Sequence, residues 1–298
     1  MRPLHIFQIL NHYTAPQDLD PGFGVLDNST NERPDWFEYW PIRKFLLHET
    51  LDEQAFYGFL SPKFEHKTNL RAADVGNFIQ AAADTDVVLF SPSIHNSAYY
   101  LSVFEHGETE HPGLADVAKA LFERMGRHLD LETFISDSRN TVHSNYFIAK
   151  PRFWRAWLAI TETMFALAES PDDELGKRLR TPTTYRGASN VQMKIFVMER
   201  IATWILVTDP AFKARARDPF AARGRFYKLP TAIVCDALKI AFVTQGRGQY
   251  KEVFLLVRNL RKFLNLQVRI GGSVPWSRVR PALHSLKSYW RGNGSAEE

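Results

Sequence analysis

The sequence predicts an α/β fold in which a mostly parallel central sheet is flanked by helices and followed by a helical, basic C-terminal extension. Three short apolar segments, residues 4–10, 55–60 and 86–91, have the length and composition of buried strands. A helical pattern separates the second strand from the third, which is typical of a parallel crossover. From Pro230 onward the pattern is helical throughout.

The front of the chain contains a long loop and two helices. A polar stretch with proline and glycine over residues 14–34 follows the first strand. A helix is predicted over residues 35–48, and Pro41 either kinks it or marks its first turn. After the second strand, Thr68 or Asn69 is placed to cap the crossover helix.

The later elements continue the alternation of strand and helix. A strand is predicted over residues 144–150, and Pro151 begins the long helix that follows, which ends at residue 169. Residues 170–185 are polar and charged and predict a loop, whereas residues 190–207 are apolar around most of their circumference and predict a buried helix. Further helices are predicted over residues 97–104, 113–127, 130–137, 230–243, 249–266 and 276–290.

The charge of the chain is distributed unevenly. The net charge is +4, yet residues 213–291 hold 17 Lys and Arg against 3 Asp and Glu. We therefore divide the chain into a sheet-containing domain, residues 1–210, and a basic extension, residues 211–298. The extension favours an anionic partner (phospholipid headgroups, a lipid-linked phosphate or nucleic acid), although a solvated helical surface has the same pattern.

Several classes of protein are disfavoured. The lone cysteine, Cys235, excludes a disulfide framework and a cysteine-based zinc site. The N-terminus does not resemble a secretory leader, and Asp236 and Lys239 interrupt the most apolar run, so we predict a cytoplasmic protein. Motifs for a phosphate-binding loop, a dinucleotide fold, a zinc protease and a serine hydrolase are absent from the sequence.

Polar residues lie beside the ends of the predicted strands. Ligands of open α/β sheets bind at the carboxyl ends of parallel strands, so these segments are expected to line one crevice. The four segments are Asn11-His12, Ser61–Lys67, Ser91–Asn96 and His143–Asn145.

Six stretches between residues 35 and 207 occur in a recognisable order. They are Glu38–Trp40, Tyr57–Phe64, the strand Asp86–Leu89, Phe104–His106, His143–Lys150 and Val197–Arg200. This succession resembles bacterial glycosyltransferase-like proteins of capsule and lipopolysaccharide gene clusters, whose core has the GT-A nucleotide-sugar fold.

The resemblance implies an enzyme, a glycosyltransferase of the hexosyltransferase type. It would move a sugar from a nucleotide-sugar donor to a polysaccharide or lipid-linked glycan acceptor, working in the cytoplasm or peripherally at the inner membrane face. The alternative is a non-catalytic, membrane-peripheral scaffold in glycan assembly that keeps the fold without the chemistry.

Glycosyl transfer requires the diphosphate leaving group to be neutralised, by a divalent ion or by basic side chains. Asp84 and Asp86 have the D-x-D spacing of residues that hold Mn²⁺ or Mg²⁺, but they precede a strand and also fit a solvated turn. Lys63 and Lys67 could neutralise the diphosphate without metal, or could be ordinary surface lysines.

Glu199 is the candidate catalytic base. It lies in a segment too apolar to hold an idle charge, since an ionised carboxylate buried there is costly. Either Glu199 faces a cleft and accepts the acceptor's proton, or it pairs structurally with Arg200 or another base. Arg200 is a candidate substrate-binding residue.

The remaining substrate-binding candidates are histidines and asparagines. His143 and Asn145 precede a strand and could bind sugar hydroxyls or diphosphate, although Asn145 could simply hold a turn. His95 and Asn96 follow the third strand. His106 lies in the stretch of the sequence that is densest in titratable side chains. This stretch predicts either a loop that closes over a ligand or a solvated surface loop.

Residues 250–266 predict an amphipathic helix with lysine and arginine largely off its apolar stripe. Such a helix docks on an anionic membrane surface or packs on its own domain. Nucleic acid is not expected as a partner, because the cations alternate with apolar residues instead of forming an exposed arm.

Overall fold

The computed structural model describes residues 2–82, 84–92, 97–185, 188–220 and 229–270. The strands within them are β1 (Leu4–Asn11), β2 (Gly24–Asn28), β3 (Phe56–Leu60), β4 (Val87–Leu89), β5 (Phe147–Ala149), β6 (Pro182–Tyr185), β7 (Ala188–Gln192) and β8 (Ala214–Ala216). The α-helices are α1 (Tyr39–His48), α2 (Phe64–Thr68), α3 (Ala72–Ala81), α4 (Val103–Glu110), α5 (Leu114–Arg124), α6 (Pro151–Glu169), α7 (Glu174–Arg180), α8 (Met193–Thr208), α9 (Leu229–Gln245) and α10 (Gly248–Ile270). Short 3₁₀ turns occupy Pro16–Asp18, Pro34–Trp36 and Ser97–Tyr99.

Six strands form the central sheet, in the order β2-β1-β3-β5-β4-β8. Strand β1 pairs in parallel with β2 and β3, and β4 pairs in parallel with β8, whereas β5 is antiparallel to both β3 and β4. All strands of this sheet except β5 therefore run in one direction. The predicted α/β class, with a mostly parallel sheet flanked by helices, is confirmed.

Two strands of the sheet lie where no strand is predicted. Strand β2 falls within the stretch predicted as a loop, and β8 lies beyond the predicted domain boundary at residue 210. Both are edge strands with partly exposed residues, so neither has the continuous apolar run of a buried strand. Because β8 pairs with β4, the sheet-containing domain extends at least to residue 216.

Two other segments also differ from the prediction. The predicted loop over residues 170–185 contains α7 and β6, and β6 pairs with β7 as an antiparallel hairpin. The predicted helix over residues 130–137 is wrong, because the Asp130 carboxylate accepts hydrogen bonds from the backbone N–H of Glu132 and the hydroxyl of Thr133 and holds a turn instead. The predicted helix over 276–290 lies outside the described residues.

The core is divided by the sheet into two layers. On one face, residues such as Tyr57 and Phe59 of β3 pack with α1, α5, α6 and α8, including the buried Trp154. On the other face, Phe56 and Leu60 pack with α2 and α3. Alternate residues of β3 thus face opposite layers, as the pleat of a strand requires.

The helices after the sheet pack on the body of the protein. Cys235 of α9 and Phe254 of α10 are buried in one apolar cluster with Tyr99. Lys239 is also buried, and its Nζ donates hydrogen bonds to the backbone oxygens of Tyr100 (3.1 Å) and Ser136 (2.7 Å). No helix in the described part of the chain is both long enough and apolar enough to span a membrane.

A close approach between β3 and β5 requires glycine at residue 58. A Cβ added to Gly58 would lie 2.5 Å from Cγ1 of the buried Ile148. We expect Gly58→Ala to lower the free energy of unfolding by about 1–3 kcal/mol, since the strands must separate to admit the methyl group.

Gly76→Ala is the matched control, because a Cβ at this position of α3 meets nothing closer than Leu4 Cδ1 at 3.8 Å. It should raise the free energy of unfolding by about 0.5–1 kcal/mol through helix propensity. Denaturant titration of both variants measures these changes, and equal midpoints for the two would contradict the close packing at Gly58.

Candidate functional site

A cavity of about 500 Å³ opens at the edge of the sheet where β1, β2 and β3 end. Its lining includes Asn11 and Asn28 at the strand ends and Ser61 directly after β3. The Nδ2 of Asn28 donates to Oδ1 of Asn11 at 3.1 Å, so the two strand ends are joined by their buried side chains. The cavity has the position at which ligands bind open α/β sheets and a volume in the range of small-molecule sites.

Two lysines line this cavity. Lys63 precedes α2 and Lys67 lies within it, directly beyond β3. The Nζ of Lys67 donates to Oγ of Ser144 at 3.0 Å and lies 5.4 Å from the ring centroid of Tyr146. Tyr146 is held in turn by a 2.5 Å hydrogen bond between its hydroxyl and that of Ser61. The lysines therefore supply positive charge at the edge of the sheet, where their position directly after the second predicted strand placed them.

The start of β5 brings a strained turn to the same cavity. Ser144 and Asn145 are consecutive residues with positive φ, 59° and 52°, and both line the cavity. Such conformations cost non-glycine residues on the order of 1–3 kcal/mol each and cluster at functional sites. The Oδ1 of Asn145 is buried without a hydrogen-bond partner among the described residues. A ligand group that donates a hydrogen bond would satisfy it.

Two carboxyl groups face the cavity, those of Glu199 on α8 and Glu38 before α1. The closest cation to Glu199 is Arg200, whose Nη1 lies 3.8 Å from Glu199 Oε2. Neither carboxyl group accepts a hydrogen bond from another described residue. Both are half-buried and available to a ligand.

The electrostatics of the cavity favour protonated or ligand-paired carboxyls. Burial raises the pKa of Glu38 to about 7; attraction by Lys67 opposes the shift, and repulsion by Glu199 adds to it. Burial also raises the pKa of Glu199, against the attraction of Arg200 and Lys67. Pairs of titratable groups with shifted pKa values in one cleft are typical of functional sites.

Arg200 does not face the cavity, in contrast to the prediction that it binds substrate. Its guanidinium is buried and donates to the backbone oxygens of Val103, at 3.0 Å, and Phe196. It also passes over Gly107, where an added Cβ would clash with Nε of the guanidinium. Arg200 therefore connects α8 to α4, and its prediction as a substrate ligand is corrected to a structural role.

The predicted histidine ligands also lie outside the cavity lining. Nε2 of His143 forms a 2.9 Å hydrogen bond with Oγ of Ser97, and its ring meets that of His106 edge-on at 6.0 Å. Burial lowers the pKa of His143 to about 3 and that of His106 to about 4, so both are neutral at pH 7. His95 and Asn96 fall outside the described residues.

Asp84 and Asp86 lie at the opposite edge of the sheet, because they precede β4 and β4 runs parallel to the strands that end at the cavity. Asp84 is exposed and pairs with Lys213 at 2.5 Å. Asp86 is buried and accepts hydrogen bonds from Arg152 and from the backbone N–H of Lys213.

These partners leave Asp84 and Asp86 unsuited to hold a Mn²⁺ or Mg²⁺ ion for the cavity. Within the described ranges, no group of three or more His, Cys, Asp or Glu side chains is placed to hold a metal. The cavity itself supplies two carboxyls and two lysines. The D-x-D prediction is therefore corrected: the spacing matches, but the strand direction places the pair away from the site.

The cavity also contains residues that the sequence did not indicate. Tyr13 and Phe37 are aromatic, line the cavity and are 64% and 46% exposed. Glu38 belongs to a stretch that carries the family resemblance, but the sequence predicts no role for it in a site. A search for aromatic and acidic residues in the long connection after the first strand would have found Tyr13, whereas Phe37 and Glu38 fall within the helix predicted over residues 35–48, which in the structure begins only at Tyr39.

No protein-family model, curated protein or solved structure matches this chain.

The raised pKa of Glu38 predicts that the difference in stability between the wild type and Glu38→Gln depends on pH. Because the carboxyl binds a proton more tightly in the folded protein than in the unfolded chain, its contribution to stability is lost as the pH rises from about 4.5 to about 7. Glu38→Gln should thus have nearly the stability of the wild type at pH 5 and a higher melting temperature than the wild type at pH 8.

Thermal unfolding of both proteins at the two pH values measures this difference. The other titrating groups are present in both proteins, so their contributions cancel when the two melting temperatures are compared. A melting-temperature difference that is the same at pH 5 and pH 8 would show that the Glu38 carboxyl is not perturbed.

Proposed function

We propose that the protein is a glycosyltransferase that moves a sugar from a nucleotide-sugar donor to a glycan acceptor. The observation that carries the proposal is the meeting of Glu199 with Lys63 and Lys67 in one cavity at the carboxyl ends of parallel strands. A general base and a pair of cations are what displacement of a diphosphate leaving group from a sugar requires. The resemblance to glycosyltransferase-like proteins supports the same reaction.

In the proposed reaction, the acceptor hydroxyl attacks the anomeric carbon of the donor sugar. Its oxygen forms the new C–O bond and its proton passes to the Glu199 carboxylate, while the bond between the anomeric carbon and the diphosphate oxygen breaks. The leaving diphosphate takes the electron pair. Lys63 and Lys67 stabilise the charge that develops on it. The raised pKa of Glu199 strengthens it as a base at neutral pH.

The two lysines neutralise the leaving group in this proposal, and no step is assigned to a metal ion. Lysine binds phosphate oxygens as a point charge with several donors, without needing the geometry of a metal site. Lys67 is already oriented by Ser144, so its ammonium is positioned before a ligand arrives.

The acceptor is proposed to be a polysaccharide or lipid-linked glycan of capsule or lipopolysaccharide, met at the cytoplasmic face of the inner membrane. The 17 Lys and Arg of residues 213–291 support an anionic surface as partner. At least five of these cations already have partners among the described residues: Lys213, Arg215, Lys239, Lys251 and Arg258. A membrane contact would therefore use other cations of the extension.

The proposal predicts that Glu199→Gln abolishes turnover without unfolding the protein. Release of nucleoside diphosphate from a panel of sugar nucleotides should fall by about 100-fold or more, because the variant cannot accept a proton. Its melting temperature should equal or exceed that of the wild type, since burial disfavours the ionised carboxyl of Glu199 and glutamine carries no charge.

Asp84→Asn is the matched control. It alters an exposed carboxylate at the far edge of the sheet and should leave turnover unchanged. Wild-type rates in Glu199→Gln would contradict the proposed base. Wild-type protein that binds sugar nucleotides without turning them over would instead favour the non-catalytic scaffold.

A further inference from the structure

The backbone at Phe37 is held in a conformation that L-residues rarely adopt. Its φ is 49° and its ψ is −132°, at the end of the 3₁₀ turn Pro34–Trp36. A bulky residue with positive φ indicates strain, which persists only where the surrounding structure enforces it. The side chain is 46% exposed, so little burial offsets the strain.

The neighbours of Phe37 and Glu38 enforce this conformation. Trp36 is fully buried, and its Nε1 donates to Glu169 Oε1 at 2.9 Å. Tyr39 is buried on the other side, and its hydroxyl donates to Glu162 Oε1 at 2.7 Å. Between these two anchors, Phe37 and Glu38 are both part of the cavity lining.

Helix α8 secures the same turn from the opposite direction. The buried Lys194 has its Nζ 3.9 Å from the ring centroid of Trp36 and donates to Asp35 Oδ2 at 2.7 Å. Because α8 also carries Glu199, the segment with Phe37 and Glu38 and the proposed base are held by one element. The segment is therefore ordered before a ligand binds.

The chemistry of the two side chains is complementary to a sugar ring. An aromatic face packs on the C–H face of a pyranose, and a carboxylate accepts hydrogen bonds from its hydroxyls. The carboxyl of Glu38 has no hydrogen-bond partner among the described residues. Its charge is close enough to Lys63 and Lys67 for the three to interact. One ligand could thus place hydroxyls on Glu38 and a phosphate on the lysines.

We propose that Phe37 and Glu38 form the subsite that binds the sugar ring of the donor. Phe37 packs against the ring, Glu38 accepts hydrogen bonds from its hydroxyls, and Lys63 and Lys67 bind the phosphates. This inference rests on the proposed function, since it assigns the sugar and phosphate parts of the donor to different residues of one cavity. It also explains why a strained aromatic residue is kept exposed beside a carboxyl group.

The test compares matched pairs of probes at pH 8, where Glu38 is ionised: UDP with UDP-glucose, GDP with GDP-mannose, and inorganic phosphate with glucose 1-phosphate. Calorimetric titration gives each affinity for the wild type, Phe37→Gly, Phe37→Tyr, Glu38→Gln and Lys67→Gln. Phe37→Gly removes the ring and the strain together, so its melting temperature should equal or exceed that of the wild type.

We expect Phe37→Gly and Glu38→Gln each to weaken binding of the sugar-containing probe by about tenfold, or about 1.4 kcal/mol, while the probe without sugar binds as before. Phe37→Tyr should retain the wild-type affinity because it keeps the aromatic face. Lys67→Gln should weaken both members of a pair, since both carry phosphate.

The outcomes separate this inference from the proposed function. If the wild type binds sugar nucleotides but Phe37→Gly and Glu38→Gln bind both probes like the wild type, or lose both equally, the sugar subsite is wrong and the proposed function stands. If glucose 1-phosphate binds through Phe37 and Glu38 but no nucleotide binds, the subsite stands and the nucleotide donor is wrong. Absence of binding by every probe overturns both.

Discussion

The buried guanidinium of Arg200 determines where the proposed base of the cavity lies. It donates to the backbone oxygen of Val103 and packs over Gly107, both on α4, so it fixes the rotation of α8 against α4. Val197 and Ile201 on the same helix are fully buried in the core and oppose any turn about the helix axis. With those faces buried, Glu199 is left at the cavity. A half-buried carboxyl on a helix that is mostly buried and apolar is costly for folding and is explained most simply by function.

The charges in the cavity act on one another in a way that suits the proposed reaction. Lys67 attracts both Glu38 and Glu199 and lowers the pKa of each, against the effect of burial. A diphosphate bound to the lysines would offset that attraction, so the carboxyls would bind protons more tightly. As the leaving group develops charge, Glu199 would therefore become a stronger base. The strained turn at Ser144 and Asn145 contributes by holding the hydroxyl that orients Lys67.

The sequence predicts the parts of the site that follow from strand direction. Lys63 and Lys67 were expected at the edge where parallel strands end, and the cavity lining includes both. Asn145 precedes its strand and reaches the same edge because β5 runs antiparallel to β3 and β4, which the sequence did not predict. Strand direction also explains the error at Asp84 and Asp86, whose spacing matches a metal motif while β4 carries them to the other edge.

The position of Phe37 and Glu38 could not be predicted, because it depends on the positive φ of Phe37. That conformation is enforced where Trp36 and Tyr39 bond to Glu169 and Glu162, which lie far along the chain. Strand β8 was missed because an exposed three-residue edge strand has no apolar pattern.

In the proposed enzyme the cavity binds a nucleoside diphosphate on Lys63 and Lys67, and thermal unfolding with nucleotides measures this binding. A panel of nucleoside diphosphates, with EDTA present, is compared on the wild type and on the double variant Lys63→Gln/Lys67→Gln. The account predicts that one nucleotide family raises the wild-type melting temperature, since ligand at about 100 times its dissociation constant adds about 2.7 kcal/mol, and that the double variant loses this shift. No shift in the wild type, or an equal shift in the double variant, would contradict it.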